Sequence, residues 1–184
     1  MFTKNFYDLI RSVLIYSNAL ITSVDGATHN ANYSLINGTS YSNGGYGFRY
    51  AMRNGRIANP ENGKNASYGV YFGTGTAPAT PTDLTLEAPI TSGINITSPG
   101  DMVISVQDGY YEMSSTFGLQ NNSYTASYAI SEVGLFLKYQ SSSSSGTSDK
   151  MFMIERTVLS SPITLAPMEA KQITYTVRFK YPTA

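Results

Sequence analysis

The final third of the chain carries the clearest periodic pattern in the sequence. Apolar and polar residues alternate from residue 173 to 179, and the apolar ones are Ile173, Tyr175, Val177 and Phe179. Such alternation is the period of a strand with one buried face. Two earlier apolar segments, 130–139 and 150–159, flank a serine-rich loop at 141–145. Together the three segments predict a β-meander, so the chain is expected to be mainly β.

Turn residues divide the middle of the chain into further short strands. Asp108-Gly109 separates two apolar segments, 102–107 and 110–113, and predicts a hairpin. Prolines at 78 and 81 cannot donate to a ladder, so this stretch is predicted to be a loop that crosses outside the sheets. Seven to nine strands are expected in all. This number favours one β-sandwich or jelly-roll-like domain.

Asn-Gly dipeptides indicate tight reversals, because both residues readily adopt positive φ. Four occur, at Asn37, Asn43, Asn54 and Asn62. The one at Asn54 lies between two short segments, 48–53 and 56–58. It predicts a strand, a turn and a returning strand.

The N-terminal segment has the spacing of an amphipathic helix. Its apolar residues recur three or four positions apart and include Phe2, Phe6, Leu9, Ile10 and Val13. A helix is predicted from about residue 4 to 21, which divides the chain into an N-terminal helix (1–24) and a β-sandwich domain (25–184). Two placements remain open: the helix covers a face of the sheet, or it projects as an assembly arm onto a neighbouring subunit. In both cases this stripe is a candidate interface.

The charge is low and balanced, with 12 basic and 12 acidic residues making up 13% of the chain. A nucleic-acid partner is not expected, because a basic face is missing. No run reaches the roughly 18 apolar residues of a membrane span, so no membrane partner is expected either. Near-zero net charge favours self-association, and the 15 tyrosines are of a type enriched in interfaces. A homo-oligomer is therefore expected.

The sequence contains no pattern of catalytic or metal-binding residues. Cysteine is absent, and the single histidine, His29, stands four residues after Asp25. The pair has the chemistry of an acid and a base, but no nucleophile motif accompanies it. Gly73 and Gly75 lack the third glycine and the helix of a phosphate loop. No enzyme activity, cofactor or metal is expected.

Paired tyrosines at Tyr110 and Tyr111 are the remaining candidates for ligand contact. They are interpreted either as a platform on which a host surface glycan stacks or as packing and interface residues. Packing or subunit contact is favoured, because cross-strand aromatic pairs are common in sheets.

Two passages resemble small virion proteins of tailed bacteriophages, in the style of crAss-like gut phages. The first is Tyr71-Phe-Gly-Thr-Gly-Thr-Ala-Pro-Ala-Thr-Pro-Thr-Asp-Leu-Thr-Leu-Glu-Ala-Pro-Ile90. The second comprises Glu132-Val-Gly-Leu-Phe136, Met153-Ile-Glu-Arg-Thr-Val158 and Thr174-Tyr-Thr-Val-Arg-Phe179. The resemblance implies a structural β-domain of the tail, neck or collar, in contact with other virion proteins, and carries over no catalytic residue. The serine insertion and the N-terminal helix depart from that pattern.

The expected function is thus a non-enzymatic subunit of a phage virion, assembled as a homo-oligomeric ring in the tail or head-tail region. The alternative is a glycan-binding receptor module of a tail fibre or surface adhesin. A further expectation concerns Glu132 and Arg156, which are charged residues in otherwise apolar strands. They are predicted to form a salt bridge or to contact an adjacent subunit.

Overall fold

The structure is a computed structural model that describes residues 1–14, 19–31, 48–61, 67–98, 102–107, 109–143 and 146–180. Two helices are present in these ranges, α1 (Lys4–Leu14) and α2 (Phe48–Met52). The strands are β1 (Ala19–Thr22), β2 (Thr28–Ala31), β3 (Gly55–Arg56), β4 (Gly69–Gly73), β5 (Ile94–Thr97), β6 (Val103–Gln107), β7 (Tyr110–Asn121), β8 (Tyr128–Ser143), β9 (Gly146–Leu165) and β10 (Ala170–Lys180).

Two four-stranded sheets build the fold, which is mainly β and compatible with the predicted β-sandwich. The first sheet has the order β3-β4-β8-β9. In the second, β7 lies beside β10 and pairs on its other side with both β5 and β6. Strands β1 and β2 form a separate hairpin. None of the helices in the described ranges is long and apolar enough to cross a membrane.

The core lies between the two four-stranded sheets. Phe72 of β4 and Phe117 of β7 meet edge to face there, with ring centroids 5.8 Å apart. On β8 the inward residues Val133, Leu135 and Leu137 are buried in the same cluster. The intervening residues Glu132, Gly134 and Phe136 point away from the main core, and Glu132 and Phe136 are also buried, so β8 is covered on both faces.

Two hairpins are confirmed. Strands β6 and β7 pair antiparallel on either side of the predicted turn, where Gly109 has φ 81°. Strands β8 and β9 pair up to Ser143 and Gly146, so the hairpin closes within the serine-rich segment; residues 141–143 of that segment belong to β8, and 144–145 lie outside the described residues.

The predicted meander is wrong in its third strand. Strand β10 does not pair with β9 but with β7 in the other sheet, through eleven consecutive residue pairs. The predicted alternation is present, with Tyr175 and Val177 buried. Alternation describes which face of a strand is buried, and both sheets of a sandwich bury one face, so the pattern could not identify the partner strand.

Two local predictions near the N-terminus also fail. The helix does not extend to residue 21, because residues 19–22 form β1. Phe48–Met52 is a helical turn and not a strand, since its buried residues Phe48, Ala51 and Met52 follow helical spacing. The following Gly55–Arg56 pairs in parallel with β4. The other three Asn-Gly dipeptides lie outside the described residues.

Candidate interface surfaces

A strap, residues 74–88, crosses the outer face of the β3-β4-β8-β9 sheet. Its ends lie close together, because Gly73 forms a β-bridge with Pro89 and the Thr74 amide donates to the Ala88 carbonyl at 2.8 Å. This is the proline-containing segment that the sequence predicts as a crossing loop, and that prediction is confirmed. Compact loops with adjoining ends are frequently functional.

Glu132 of β8 holds the strap from below. Its side chain has no exposed surface, yet four donors surround it. Oε1 accepts from the amides of Ala88 at 2.8 Å and Gly75 at 3.2 Å, and Oε2 accepts from the Glu87 amide at 3.1 Å. The fourth donor is Arg156 Nε, 2.8 Å from Oε2. Every lone-pair direction of this buried carboxylate therefore has a partner, as a buried charge requires.

Arg156 of β9 extends the same network towards the strap. The predicted salt bridge with Glu132 is confirmed at 2.8 Å, between side chains that are 4% and 0% exposed. A second guanidinium nitrogen lies 2.8 Å from Asp83 Oδ2, and the third donates to the Ala77 carbonyl at 3.2 Å. Glu87 Oε2 lies 3.7 Å away. One guanidinium thus joins two strands to three points of the strap.

The strap carboxylates are held in the ionised form. Burial acts to raise the pKa of Asp83, but hydrogen bonds from Thr80 and Arg156 outweigh it and lower that pKa below 3.8. The amides of Ala77 and Thr76, each 2.7 Å from Glu87 Oε2, lower the pKa of Glu87 below 4.5. Protonation weakens these contacts, because a neutral carboxyl group accepts hydrogen bonds less strongly than a carboxylate.

Glycines allow the strap to approach the sheet closely. A Cβ placed on Gly73 would lie 2.5 Å from Glu132 Oε1 and 2.8 Å from the Ala88 carbonyl oxygen. On Gly75 it would lie 2.5 Å from the same carboxylate oxygen. These two glycines therefore serve close backbone packing. Under the strap, Leu86 joins a second apolar cluster with Tyr71, Phe136, Met151 and Met153.

A β-bulge turns Arg156 towards this face. Leu135 is opposite Glu155 and Phe136 is opposite Met153, which leaves Ile154 as an extra residue in β9. Ile154 lies in the main core, and Glu155 also points inward, where it accepts a hydrogen bond from Tyr175 at 2.5 Å. With two consecutive residues facing the core, Arg156 emerges on the opposite side. Bulges often redirect a side chain in this way.

The N-terminal stripe lies mostly inside the protein. Phe6 is 9% and Leu9 1% exposed, and Phe2 stacks on Phe6 with ring centroids 3.9 Å apart. Thr3 and Asn5 donate to the Met153 carbonyl at 2.7 and 3.2 Å, which ties this segment to β9. The N-terminal segment therefore packs on its own domain, beside β9 at the edge of a sheet, whereas the first predicted placement had the helix cover a sheet face. Ile10, 37% exposed, remains available to a neighbour, and the Val13 side chain lies outside the described part of the chain.

An apolar groove of about 340 Å³ opens beside α1. Its lining includes Phe6, Leu9 and Ile10 from α1 together with Phe48, Ile104 and Phe179. Among the described residues that line it, none is charged or carries a side-chain N–H or O–H group. Ile104 on its rim is 62% exposed. An open apolar surface of this kind is typical of a binding or assembly surface.

Tyr110 and Tyr111 do not form a joint platform. They are consecutive residues of β7, so their side chains leave opposite faces of the sheet. Arg178 lies over the Tyr110 ring, 5.2 Å from its centroid, and covers one face of that ring. Tyr111 is 50% exposed.

His29 lies in a small polar cluster of the β1-β2 hairpin. Ser23 Oγ is 3.0 Å from His29 Nε2 and 2.5 Å from Asp25 Oδ1. Burial and the nearby Lys150 lower the pKa of His29, partly offset by Asp25. In this cluster Ser23 Oγ contacts both the carboxylate and the imidazole, and Ser23 is fully buried. The arrangement lacks the order of contacts of a catalytic triad.

Sequence reasoning found Glu132 and Arg156 but missed Asp83, Glu87 and the amides that meet them. The signal for the first pair was a charge within an apolar strand. No comparable signal exists for a carboxylate in a polar loop, since such residues are usually solvated.

Comparison with known proteins gives no match: no family model, curated protein or solved structure is similar enough to this chain to assign it.

Proposed function

We propose that the chain is a non-enzymatic structural subunit of a bacteriophage virion, located in the tail or the neck and collar region. In this proposal it assembles as a homo-oligomeric ring and contacts other virion proteins. One observation carries it: the two passages that resemble phage virion proteins, far apart in the sequence, meet in a single contact network.

The first passage supplies the strap, with Gly73, Gly75, Asp83 and Glu87. The second supplies the strands beneath it, with Glu132, Gly134 and Arg156. These residues contact one another at 2.8 to 3.7 Å or pack too closely to allow a Cβ. The first passage and the β8 and β9 segments of the second therefore form one structural unit, whereas Thr174–Phe179 lies on β10 in the other sheet. Direct contact is a physical reason for short motifs that are far apart in the sequence to occur together.

A structural role also agrees with the chemistry of that unit. All four hydrogen-bonding directions of Glu132 are taken by protein donors, and Arg156 is 3% exposed. Groups bound in this way hold a shape and are poorly placed to attack or protonate a substrate. Balanced charge and an open apolar groove favour assembly.

The proposal is tested by asking whether the protein is a component of purified phage particles and where on the particle it lies. Purified particles from the phage that encodes this chain are analysed by quantitative mass spectrometry, and gold-labelled antibody locates the protein on intact particles. We expect several copies per particle, labelled at the tail or neck. Absence from purified particles, combined with a strictly monomeric state by light scattering, would contradict the proposal. The amount of a non-virion protein from the same lysate measures how much contaminating protein remains with the purified particles.

A further inference from the structure

We propose that copies of this chain assemble by exchanging their N-terminal units, so that the unit of one copy docks on the next copy. The N-terminal unit consists of α1 and the β1-β2 hairpin, residues 1–14 and 19–31. This inference deepens the proposed function and rests on its homo-oligomeric assembly, because it names the surfaces through which the copies meet. In the structure of the single chain, the same surfaces meet within one copy.

The helix and the hairpin of the N-terminal unit hold each other. Asn5 Nδ2 donates to the Thr22 carbonyl and the Thr22 amide donates to Asn5 Oδ1, both at 2.8 Å. Leu9 of α1 and Ile21 of β1 are fully buried. Among the described strands, β1 and β2 pair only with each other and belong to neither four-stranded sheet. The unit can therefore be exchanged as a whole.

The docking site of the unit is the outer edge of β9, which is the last strand of its sheet. The Thr3 amide donates to the Ile154 carbonyl at 3.0 Å, and the Val24 amide donates to the Met151 carbonyl at 2.9 Å. Backbone bonds of this kind also join separate chains when a segment of one protein is added to the sheet edge of another. Nothing in these contacts requires that both partners belong to one copy.

Apolar packing completes the docking site. Phe2 and Phe6 stack on Phe179 of β10, with ring centroids 5.5 and 5.7 Å apart. An exchanged unit buries these rings between two copies, which gives the apolar kind of interface that obligate oligomers have. The apolar groove then lies at the seam between the copies, because Phe6 and Leu9 line it from α1 while Ile104 and Phe179 line it from the sandwich.

The connection to the rest of the chain is long enough for exchange. Residues 32–47 link the N-terminal unit to α2, and sixteen residues span at most about 50 Å. A compact domain of this length is about 40 Å across, so the unit can reach the β9 edge of an adjacent copy. Exchange keeps every contact of the docked unit, and it is therefore a low-cost route to oligomers. Docking of each unit on the next copy in turn generates a ring, whereas reciprocal exchange generates a dimer.

Cross-linking of mixed isotope-labelled chains distinguishes exchange from docking within one copy. Equal amounts of unlabelled and 15N-labelled chain are unfolded together, refolded and treated with a carbodiimide, which joins paired amine and carboxylate groups by an amide bond. Lys150 Nζ of β9 lies 3.8 Å from Asp25 Oδ2 of the N-terminal unit. For this pair we expect mass spectrometry to find as many linked peptides of mixed label as of uniform label.

A matched control is the ion pair of Lys138 and Asp149, 2.9 Å apart on the β8-β9 hairpin. Both residues lie outside the exchanged unit, so their linked peptides should be uniform in label. Uniform label in the linked peptides of Lys150 and Asp25 would overturn the proposal.

A second measurement does not depend on cross-linking. Phe2→Asp places a charge in the aromatic stack and is expected to weaken self-association about tenfold or more by sedimentation velocity. Tyr124→Asp, at an 82% exposed position in the loop between β7 and β8, should leave self-association unchanged. Equal effects of the two variants, or a wild-type chain that stays monomeric throughout, would also overturn the inference. Particle mass spectrometry still decides the proposed function separately, because a virion subunit can assemble without exchanging its N-terminal unit.

Discussion

The two sides of the sandwich are completed in different ways. On the outer face of the β3-β4-β8-β9 sheet, the strap covers an apolar cluster and provides donors for a buried carboxylate. Beside α1, the chain leaves an apolar groove open and carries exposed residues such as Ile104 on its rim. The strap side is closed by specific polar contacts, so substitutions there should lower the free energy of unfolding. The groove side is open, so substitutions there should alter the self-association of the protein.

The largest effect is expected from Arg156→Met. Loss of the guanidinium leaves Glu132 buried without its opposite charge, and breaking such a pair costs about 3–5 kcal/mol. Urea unfolding measures the change. Arg178→Met is the matched control, because that arginine also pairs with a glutamate but is 61% exposed, and its loss should cost less than about 1 kcal/mol. Similar losses in the two variants would contradict the distinction between a buried and an exposed pair.

Gly73→Ala is expected to rank second. The new methyl group would lie 2.8 Å from a backbone oxygen and 2.5 Å from Glu132 Oε1, and overpacking of this kind costs about 1–3 kcal/mol. Thermal unfolding with a hydrogen-exchange map shows whether the strap loosens. At Gly118 a methyl group has its nearest neighbour at 3.5 Å, so Gly118→Ala serves as the control. A larger loss at Gly118 would mean that close packing under the strap is unimportant.

Acid should loosen the strap before the core. Because the pKa values of Asp83 and Glu87 are lowered on folding, their stabilising contribution is present above about pH 4.5 and is lost as the pH falls through the folded values. Strap amides such as Thr76 and Ala77 should therefore gain exchange, corrected for intrinsic rates, between pH 6 and pH 3. Amides in the centre of β8 provide the reference. Parallel behaviour of strap and β8 amides would speak against separate opening.

The smallest change in stability is expected on the groove side. Ile104 is 62% exposed, so Ile104→Asp should change the free energy of unfolding by only about 0.5 kcal/mol or less. The same variant should weaken self-association, which separates the two properties. Urea unfolding at low protein concentration, where association is weak, provides the measurement. A loss above about 2 kcal/mol would show that the rim belongs to the core.

Particular residues show how far the sequence could predict this structure. The alternation at Tyr175 and Val177 correctly indicates buried positions, and Asp108-Gly109 correctly indicates a hairpin. Helical spacing near the N-terminus predicts α1 but not its end at Leu14. For Phe48–Met52 the neighbouring Asn-Gly favoured a strand, although the segment has the i, i+3, i+4 spacing that the structure shows.

The sequence by itself determined the mainly β character, the crossing strap and the need of Glu132 and Arg156 for partners, because these follow from local periodicity, proline chemistry and the cost of burying a charge. Only the tertiary structure decided that β10 joins the other sheet and that the bulge at Ile154 turns Arg156 to the outer face. Strict alternation would place Arg156 on the same side as Phe152 and Ile154, in the main core. Which strands pair, and where one residue is inserted, depends on contacts between distant segments that local patterns do not encode.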